Sequence, residues 1–342
     1  MKIGIICPSE IALRRFMPAL QLCNDIEFVG LAIYTPEERY GSSNLQQGFI
    51  MKKIQSEYEK AAEFVEQYGG KIFNGYETIV KSKEIDAIYI PLPPALHYKW
   101  AKMALEYGKH VLVEKPSTIN KEDTVQLTNI AADKGLAFHE NYMFLYHNQL
   151  TAINEIINSG RIGNVRLIRI SFGFPMRATD DFRYDKALGG GALIDAGGYT
   201  IKYASHLLGD SAEIKSAYMN TIEGFDVDMY GSATMINKEG LTAQIAFGID
   251  NNYKCDLEVW GSKGCLSTGR VLTAPVGFVP KAVIREGNEE AMVNLPADDA
   301  FKKSIEHFKK CVDDYSIRKD NYSKIIRQAE LVDQFKRLSG DE

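Results

Sequence analysis

The chain opens MKIGIICPSEIALRRFMPAL (residues 1–20). The apolar run KIGII reads as a buried strand, and apolar spacing over residues 10–23 reads as a helix. The short turn between them makes this the start of a dinucleotide-binding βαβ unit. Such a turn usually carries three glycines. One makes the bend, one lets the backbone approach a pyrophosphate, and one lets helix and strand pack. Here Cys7, Ser9 and Ala12 stand in those places, with Glu10 and Ile11 completing the loop. Ala12 is small enough for the packing role. Ser9 can cap the helix and donate a hydroxyl to phosphate, and the helix N-terminus still favours an anion. Pro8 fixes its own φ and removes an amide donor. On this loop alone, a working cofactor site and a scaffold that has lost its cofactor both remain open.

Working outward, the pattern repeats. IEFVGLAIY, KIFN, IDAIYIPLP, HVLVEKP and AFHENYMF read as short apolar strands, each separated from the next by a helical stretch. That alternation predicts a doubly wound parallel sheet covered on both faces. Past residue 144 the rhythm changes to β-rich segments such as VRLIRISFGF and LTAQIAFGI, with two helical segments closing the chain. The expected architecture is α/β. A Rossmann-type domain spans 1–120, its last helix and strand continuing to about 144. An α+β domain with a mostly antiparallel, open-faced sheet spans 145–342. A ligand is expected at the carboxyl ends of the parallel strands.

A chain of 342 residues fits two domains. A net charge of −5 argues against a nucleic-acid binder. The apolar runs fall short of a membrane span, and the N-terminus lacks a signal-peptide layout. The five cysteines form no CxxC pair, so neither a disulfide framework nor a zinc site is expected, and a reducing cytoplasm is the expected home. The histidines are dispersed, and no metal is expected.

The second strand ends AIYT, with no acid at Ile33, Tyr34 or Thr35 to take ribose hydroxyls. Its absence permits a 2′-phosphate, which Arg14 and Arg15 can reach; NADP(H) is therefore expected over NAD(H), which stays possible. Tyr34 can stack on adenine. Two adjacent arginines also suit a solvated helix face. VLVEKPST (111–118) closes a strand with Glu114 and Lys115 at the ligand-facing end. FRYDKALGGGALIDAGGYTIKYASHLLG (182–209) runs from a flexible triple-glycine loop, Gly189–Gly191, into a helix carrying Asp195 and, four residues on, Tyr199. A phenol supplies the proton for carbonyl reduction, and a nearby ammonium lowers its pKa. Taken alone, Tyr199 also suits a half-buried core position.

KIGII, AIYIPLPPALHYKWAKMALEYGKHVLVEKP and GGGALIDAGGY together resemble the glucose–fructose oxidoreductase/inositol dehydrogenase (Gfo/Idh/MocA) family. The stretch from ENYMFLYHNQ to GGGALIDAGGY is similar to its sugar-nucleotide 3-ketoreductase, D-xylose dehydrogenase and dihydrodiol dehydrogenase branch. The resemblance implies that Lys115 bonds the reacting oxygen, Tyr199 exchanges the proton and Asp195 orients substrate. It implies cofactor contacts for His97, Glu114, Pro91 and Leu92, and for Arg14 and Arg15. Pro94 stands where relatives often carry Asn, and Ile33-Tyr34 where the branch often has Ser-Arg. The implied function is hydride transfer between a nicotinamide and a carbonyl or hydroxyl carbon of a sugar or sugar nucleotide, with Arg177, Arg183 and Tyr184 at the substrate rim. Two alternatives are a free-sugar 1-dehydrogenase or dihydrodiol dehydrogenase, and a non-catalytic regulatory protein on the same scaffold. A homodimer or homotetramer is expected, packed sheet on sheet, because one face of the second sheet is left open; alternating residues such as Leu241, Ala243, Ile245 and Phe247 suit either face.

Overall fold

The computed structural model describes residues 1–41 and 47–340. It divides into two compact units. The first comprises Met1–Thr118, Glu122–Asn141 and Ser304–Ile325; the second comprises Ile119–Lys121, Tyr142–Lys303 and the chain from Ile326 onward.

The first unit holds six parallel strands: β1 (Lys2–Ile6), β2 (Glu27–Ile33), β3 (Lys71–Asn74), β4 (Ala87–Ile90), β5 (His110–Val113) and β6 (Phe138–Glu140). Their order is β3-β2-β1-β4-β5-β6. Strand β1 pairs with β2 on one side and β4 on the other, so the winding reverses there. Ligand crevices form beside such a reversal, outside the carboxyl ends of the strands. The loops after β1, β4 and β5 carry Cys7, Pro91 and Glu114 from those ends. Ile3, Ile5 and Ile6 of β1, and all of β4, are fully buried, as continuous apolar strands under helices on both faces must be. Phe16 stacks on Tyr89, ring centroids 3.8 Å apart.

The second unit holds eight strands: β7 (Val165–Gly173), β8 (Glu213–Asn220), β9 (Tyr230–Ile236), β10 (Thr242–Gly248), β11 (Lys254–Gly261), β12 (Gly264–Gly269), β13 (Lys281–Glu286) and β14 (Glu289–Asn294). The order is β14-β13-β12-β11-β7-β10-β9-β8, antiparallel except for the β7–β10 pair. Side chains alternate across each strand. Ala243, Ile245 and Phe247 turn inward to the core that also holds Ile201, Tyr203 and Ala204. Of the two faces the alternation allowed, these residues take the covered one, and Leu241 is half-buried just before the strand. The open face carries the alternate set instead: Arg169, whose guanidinium meets Gln244 at 3.0 Å and Glu258 at 3.4 Å, with Trp260 and Tyr218 exposed.

The C-terminal helices also depart from expectation. Helices α9 (Ala300–Asp313) and α10 (Tyr315–Ser339) were assigned to the second domain by the sequence pattern, yet Ser304–Ile325 belongs to the first unit. Asn321 Nδ2 donates to Phe138 O at 2.7 Å, Tyr322 Oη donates to Leu136 O, and Tyr322 and Ile325 join the core around Phe138. Among the described residues, no helix is long and apolar enough to cross a membrane.

Candidate active site

The loop after β1 keeps its bend without glycine. Cys7 has φ of 80°, in the left-handed region that glycine favours. Its amide donates to Ala32 O at 3.0 Å, and Ser9 N donates to Cys7 O at 2.9 Å. The thiol turns away to Glu57 Oε1 at 3.4 Å, and burial raises its pKa far above the usual range. Ser9 Oγ accepts from Ala12 N at 3.2 Å at the start of a helical run over 10–20, in which Ala12–Phe16 form a π turn. Ala12 is fully buried, as the third glycine position requires. The bend, the small packing residue and the helix N-terminus that a dinucleotide pyrophosphate needs are all present.

Glu10 and Arg14 form an exposed ion pair at 2.5 Å, and Ile11 and Arg15 also face outward. Tyr34 lies in the core, edge-on to Tyr76, rather than offering a stacking face. The Arg39 guanidinium lies 5.6 Å from the Tyr34 ring centroid. The local sequence explains why Arg39 lies there. Thr35-Pro36-Glu37-Glu38 is a capping box: Thr35 N donates to Glu38 Oε2 at 2.8 Å and Glu38 N to Thr35 Oγ1 at 3.3 Å. It starts a helix at once and returns Arg39 to the strand end.

After β5, Glu114 Oε1 accepts from Tyr89 Oη at 2.6 Å and from Asn141 Nδ2 at 2.7 Å. Desolvation pushes the Glu114 carboxyl up, against those two donors. Asn141 is held in turn by Ser304, whose Oγ donates to Asn141 Oδ1 at 2.8 Å. Lys115 follows, half-buried, with a cis peptide to Pro116. His97 is fully buried between two loops, Nδ1 2.7 Å from Pro116 O and Nε2 2.7 Å from Leu92 O. Burial lowers its pKa to about 4, against the two carbonyls, which favour the protonated ring. Pro91 and Leu92 are buried with it. His97 is therefore a strut joining the Leu92 loop to the Lys115-Pro116 turn.

In the second unit, a helical run over 192–208 carries Asp195 and Tyr199, with a π turn at Leu193–Gly197. The triple glycine before it is packed, not flexible. A Cβ on Gly190 would lie 2.4 Å from Arg183 O, and one on Gly191 (φ 113°) 2.2 Å from Asp228 Oδ1. Asp228 caps the helix: its Oδ2 accepts from Leu193 N at 2.6 Å and its carbonyl from Ala192 N at 2.7 Å. No local motif around Asp228 announces that role. Asp195 Oδ2 accepts from Arg183 Nε at 2.7 Å. Tyr199 is 8% exposed, its ring edge-on to Tyr142 (5.2 Å) and Phe172 (5.2 Å). Gly198 permits that packing, since a Cβ there would meet Tyr142 Oη at 2.2 Å. Tyr184 is buried; its hydroxyl accepts from Arg177 N at 2.8 Å and donates to Ile249 O at 3.4 Å. It ties the loop down instead of facing a substrate, while the Arg177 guanidinium lies 5.5 Å from the Phe174 ring centroid.

Residues 26–142 match the oxidoreductase family model for the NAD-binding Rossmann fold, and residues 150–267 match the GFO/IDH/MocA C-terminal domain. A dTDP-3,4-didehydro-2,6-dideoxy-alpha-D-glucose 3-reductase of Streptomyces violaceoruber is 34% identical over 97% of this chain and 94% of its own. A D-xylose 1-dehydrogenase (NADP(+)) of Haloferax volcanii is 26% identical over 70% of this chain and 74% of its own. A 3-ketoreductase from Actinomadura kijaniata, solved with NADP and TDP-benzene, superposes with a TM-score of 0.88 at 33% identity, covering 98% of this chain and 97% of that one. Further structures of that reductase carry a lysine replaced by alanine in one case and a tyrosine replaced by phenylalanine in another. With the cofactor bend intact and both halves of the family matched, the non-catalytic alternative falls away. The chain belongs to the GFO/IDH/MocA family and is an NAD(P)-dependent oxidoreductase.

Proposed function

We propose that the protein reduces the 3-keto group of a nucleoside-diphosphate-linked deoxysugar with NADPH. The observation that carries this reading is the end-to-end match to 3-ketoreductases together with Lys115, Asp195 and Tyr199 in this chain. NADPH, when bound, supplies the hydride to the carbonyl carbon. Lys115 donates a hydrogen bond to the carbonyl oxygen and stabilises the charge that develops there. Tyr199 gives that oxygen its proton, so the C=O π bond is replaced by one C–H and one O–H bond. The replaced lysine and tyrosine of the Actinomadura reductase support this division of roles. General acid catalysis of this kind is worth roughly 10²–10⁴-fold.

NADP(H) is the preferred cofactor in this reading, because the strand end bears Arg39 and no acid at residues 33–35. Arg183 is held by Asp181 and Asp195, so Arg177 is the better placed to meet a diphosphate. The five cysteines are free thiols, which suits a reducing cytoplasm. Pairing of two copies through the open face, with Trp260 (52% exposed) and Tyr218 (67%) at its centre and edge, is the reading of its assembly.

The test compares kcat/KM for a TDP-linked 3-ketosugar and for the free sugar, with NADPH and with NADH at one salt concentration. The reading requires TDP-sugar with NADPH to be the best pair. Preference for a free aldose with NADP⁺ would favour the sugar 1-dehydrogenase alternative.

A further inference from the structure

The histidines are scattered in sequence, but His139, His307 and Cys311 converge in the first unit. One nitrogen or sulfur atom from each lies within 4.8 Å of the others. His139 comes from β6 and is fully buried; His307 and Cys311 stand four residues apart on α9, one face of one helix. Cys311 is buried and His307 is half-buried, so the cluster has one side toward solvent. The imidazole rings of His139 and His307 are 5.6 Å apart.

The hydrogen bonds around His139 fix which nitrogen carries its proton. Asn141 gives its amide hydrogen to Glu114, so its oxygen faces Ser304. Ser304 spends its one hydroxyl hydrogen on that oxygen at 2.8 Å. At the contact of 3.0 Å between Ser304 Oγ and His139 Nε2, the histidine must then be the donor. His139 is held as the Nε2–H tautomer, with a lone pair on Nδ1. Metal-ligating histidines are oriented in this way by an outer hydrogen bond on the second ring nitrogen.

We propose that His139, His307 and Cys311 form a three-ligand site for a borderline-soft divalent cation, Zn²⁺ by its chemistry, with a fourth position open to water. Two imidazoles and one thiolate are a donor set that Zn²⁺ takes in tetrahedral geometry. Bond lengths of about 2.0 Å to nitrogen and 2.3 Å to sulfur put the tetrahedral ligand atoms of this set roughly 3.3–3.5 Å apart. To hold the ion the cluster therefore closes from within 4.8 Å to that spacing. The metal–sulfur bond forms as Cys311 gives its thiol proton to solvent. Lys310, Lys324 and Arg318 flank the cluster with Asp320 as the acid among them, which weakens a cation's hold. Ser304 also holds Asn141, which supports Glu114 beside Lys115, so the site is tested on metal binding itself and needs no turnover.

Chelator-treated full-length protein is titrated with Co²⁺ and then back-titrated with Zn²⁺. The site predicts one equivalent of Co²⁺ with a thiolate-to-metal charge-transfer band, lost on adding Zn²⁺. Cys311→Ser removes the band, His307→Ala weakens binding at least about tenfold, and Ser304→Ala weakens it about 10-fold or more as an outer-shell change. Circular dichroism confirms that each variant is folded, and the half-buried His307 serves if Cys311→Ser does not fold. No charge-transfer band in the wild type overturns the proposal. So does a band that persists at full strength in folded Cys311→Ser, or affinity unchanged in His307→Ala.

Discussion

Arg183 Nε donates to Asp195 Oδ2 across 2.7 Å, and the two side chains keep only 18% and 10% of their surface. Asp181 meets the same guanidinium at 3.1 Å. A carboxylate so engaged orients its neighbours; it is not a ready proton carrier. Asp195 accordingly ties the Arg183 loop to the helix that carries Tyr199, and in the proposed mechanism the proton comes from Tyr199.

Asp195→Asn should therefore act on stability first. The amide oxygen still accepts from Arg183 Nε, but the carboxylate charge is gone, and a charge-assisted hydrogen bond becomes a neutral-acceptor one at a cost of about 1 kcal/mol. Urea unfolding should show a loss of that size, and turnover should fall far less than in Tyr199→Phe. An Asn variant of unchanged stability with turnover as low as Tyr199→Phe would make Asp195 the acid.

Cys7 holds a left-handed backbone that costs a non-glycine residue about 1–2 kcal/mol. Cys7→Gly and Cys7→Ala both lose the thiol, but only alanine keeps that strain. The glycine variant should be more stable than the alanine variant by about 1 kcal/mol, and should bind NADPH at least as tightly as wild type. Paired denaturation curves decide this; an alanine variant of equal or greater stability contradicts the strain.

How much of this was legible follows from range. The parallel sheet was readable because each buried strand is a short apolar run bounded by its own helix. Lys115, Asp195 and Tyr199 stand out in the sequence because each sits in a compact motif. The supports were not: Asn141 and Ser304 meet across 163 residues, and Asp228 caps a helix 35 residues behind it. The inward face of β10 was ambiguous because a period of two gives alternation but not direction. The burial of Tyr34 and Tyr184 was not legible either, because an aromatic at a strand end or loop reads alike whether its ring faces a ligand or the core.

His97 makes stability depend on acid. Its pKa falls from an ordinary value near 6.5 to about 4 in the folded chain, chiefly through burial. The unfolded chain then binds the proton more readily, so the stabilisation is whole above pH 6.5 and drains away as pH falls toward 4. Between pH 7 and 4.5 this one group should cost about 2 kcal/mol. His97→Gln keeps amide donors for the two carbonyls and removes the titration. Its loss of stability over that interval should be smaller than wild type by about 2 kcal/mol, measured by urea unfolding at both pH values. Equal losses would mean that His97 does not titrate in this way.

The most direct measurement of the central claim is a single-turnover comparison of wild type and Tyr199→Phe, each preloaded with NADPH and mixed with the TDP-linked 3-ketosugar. Phenylalanine keeps the ring packed against Tyr142 and Phe172 and removes the hydroxyl with its proton. The NADPH dissociation constant should be unchanged and the hydride-transfer rate lower by roughly 10²–10⁴-fold. A Tyr199→Phe enzyme within about threefold of wild type, far below the general-acid range, would contradict it.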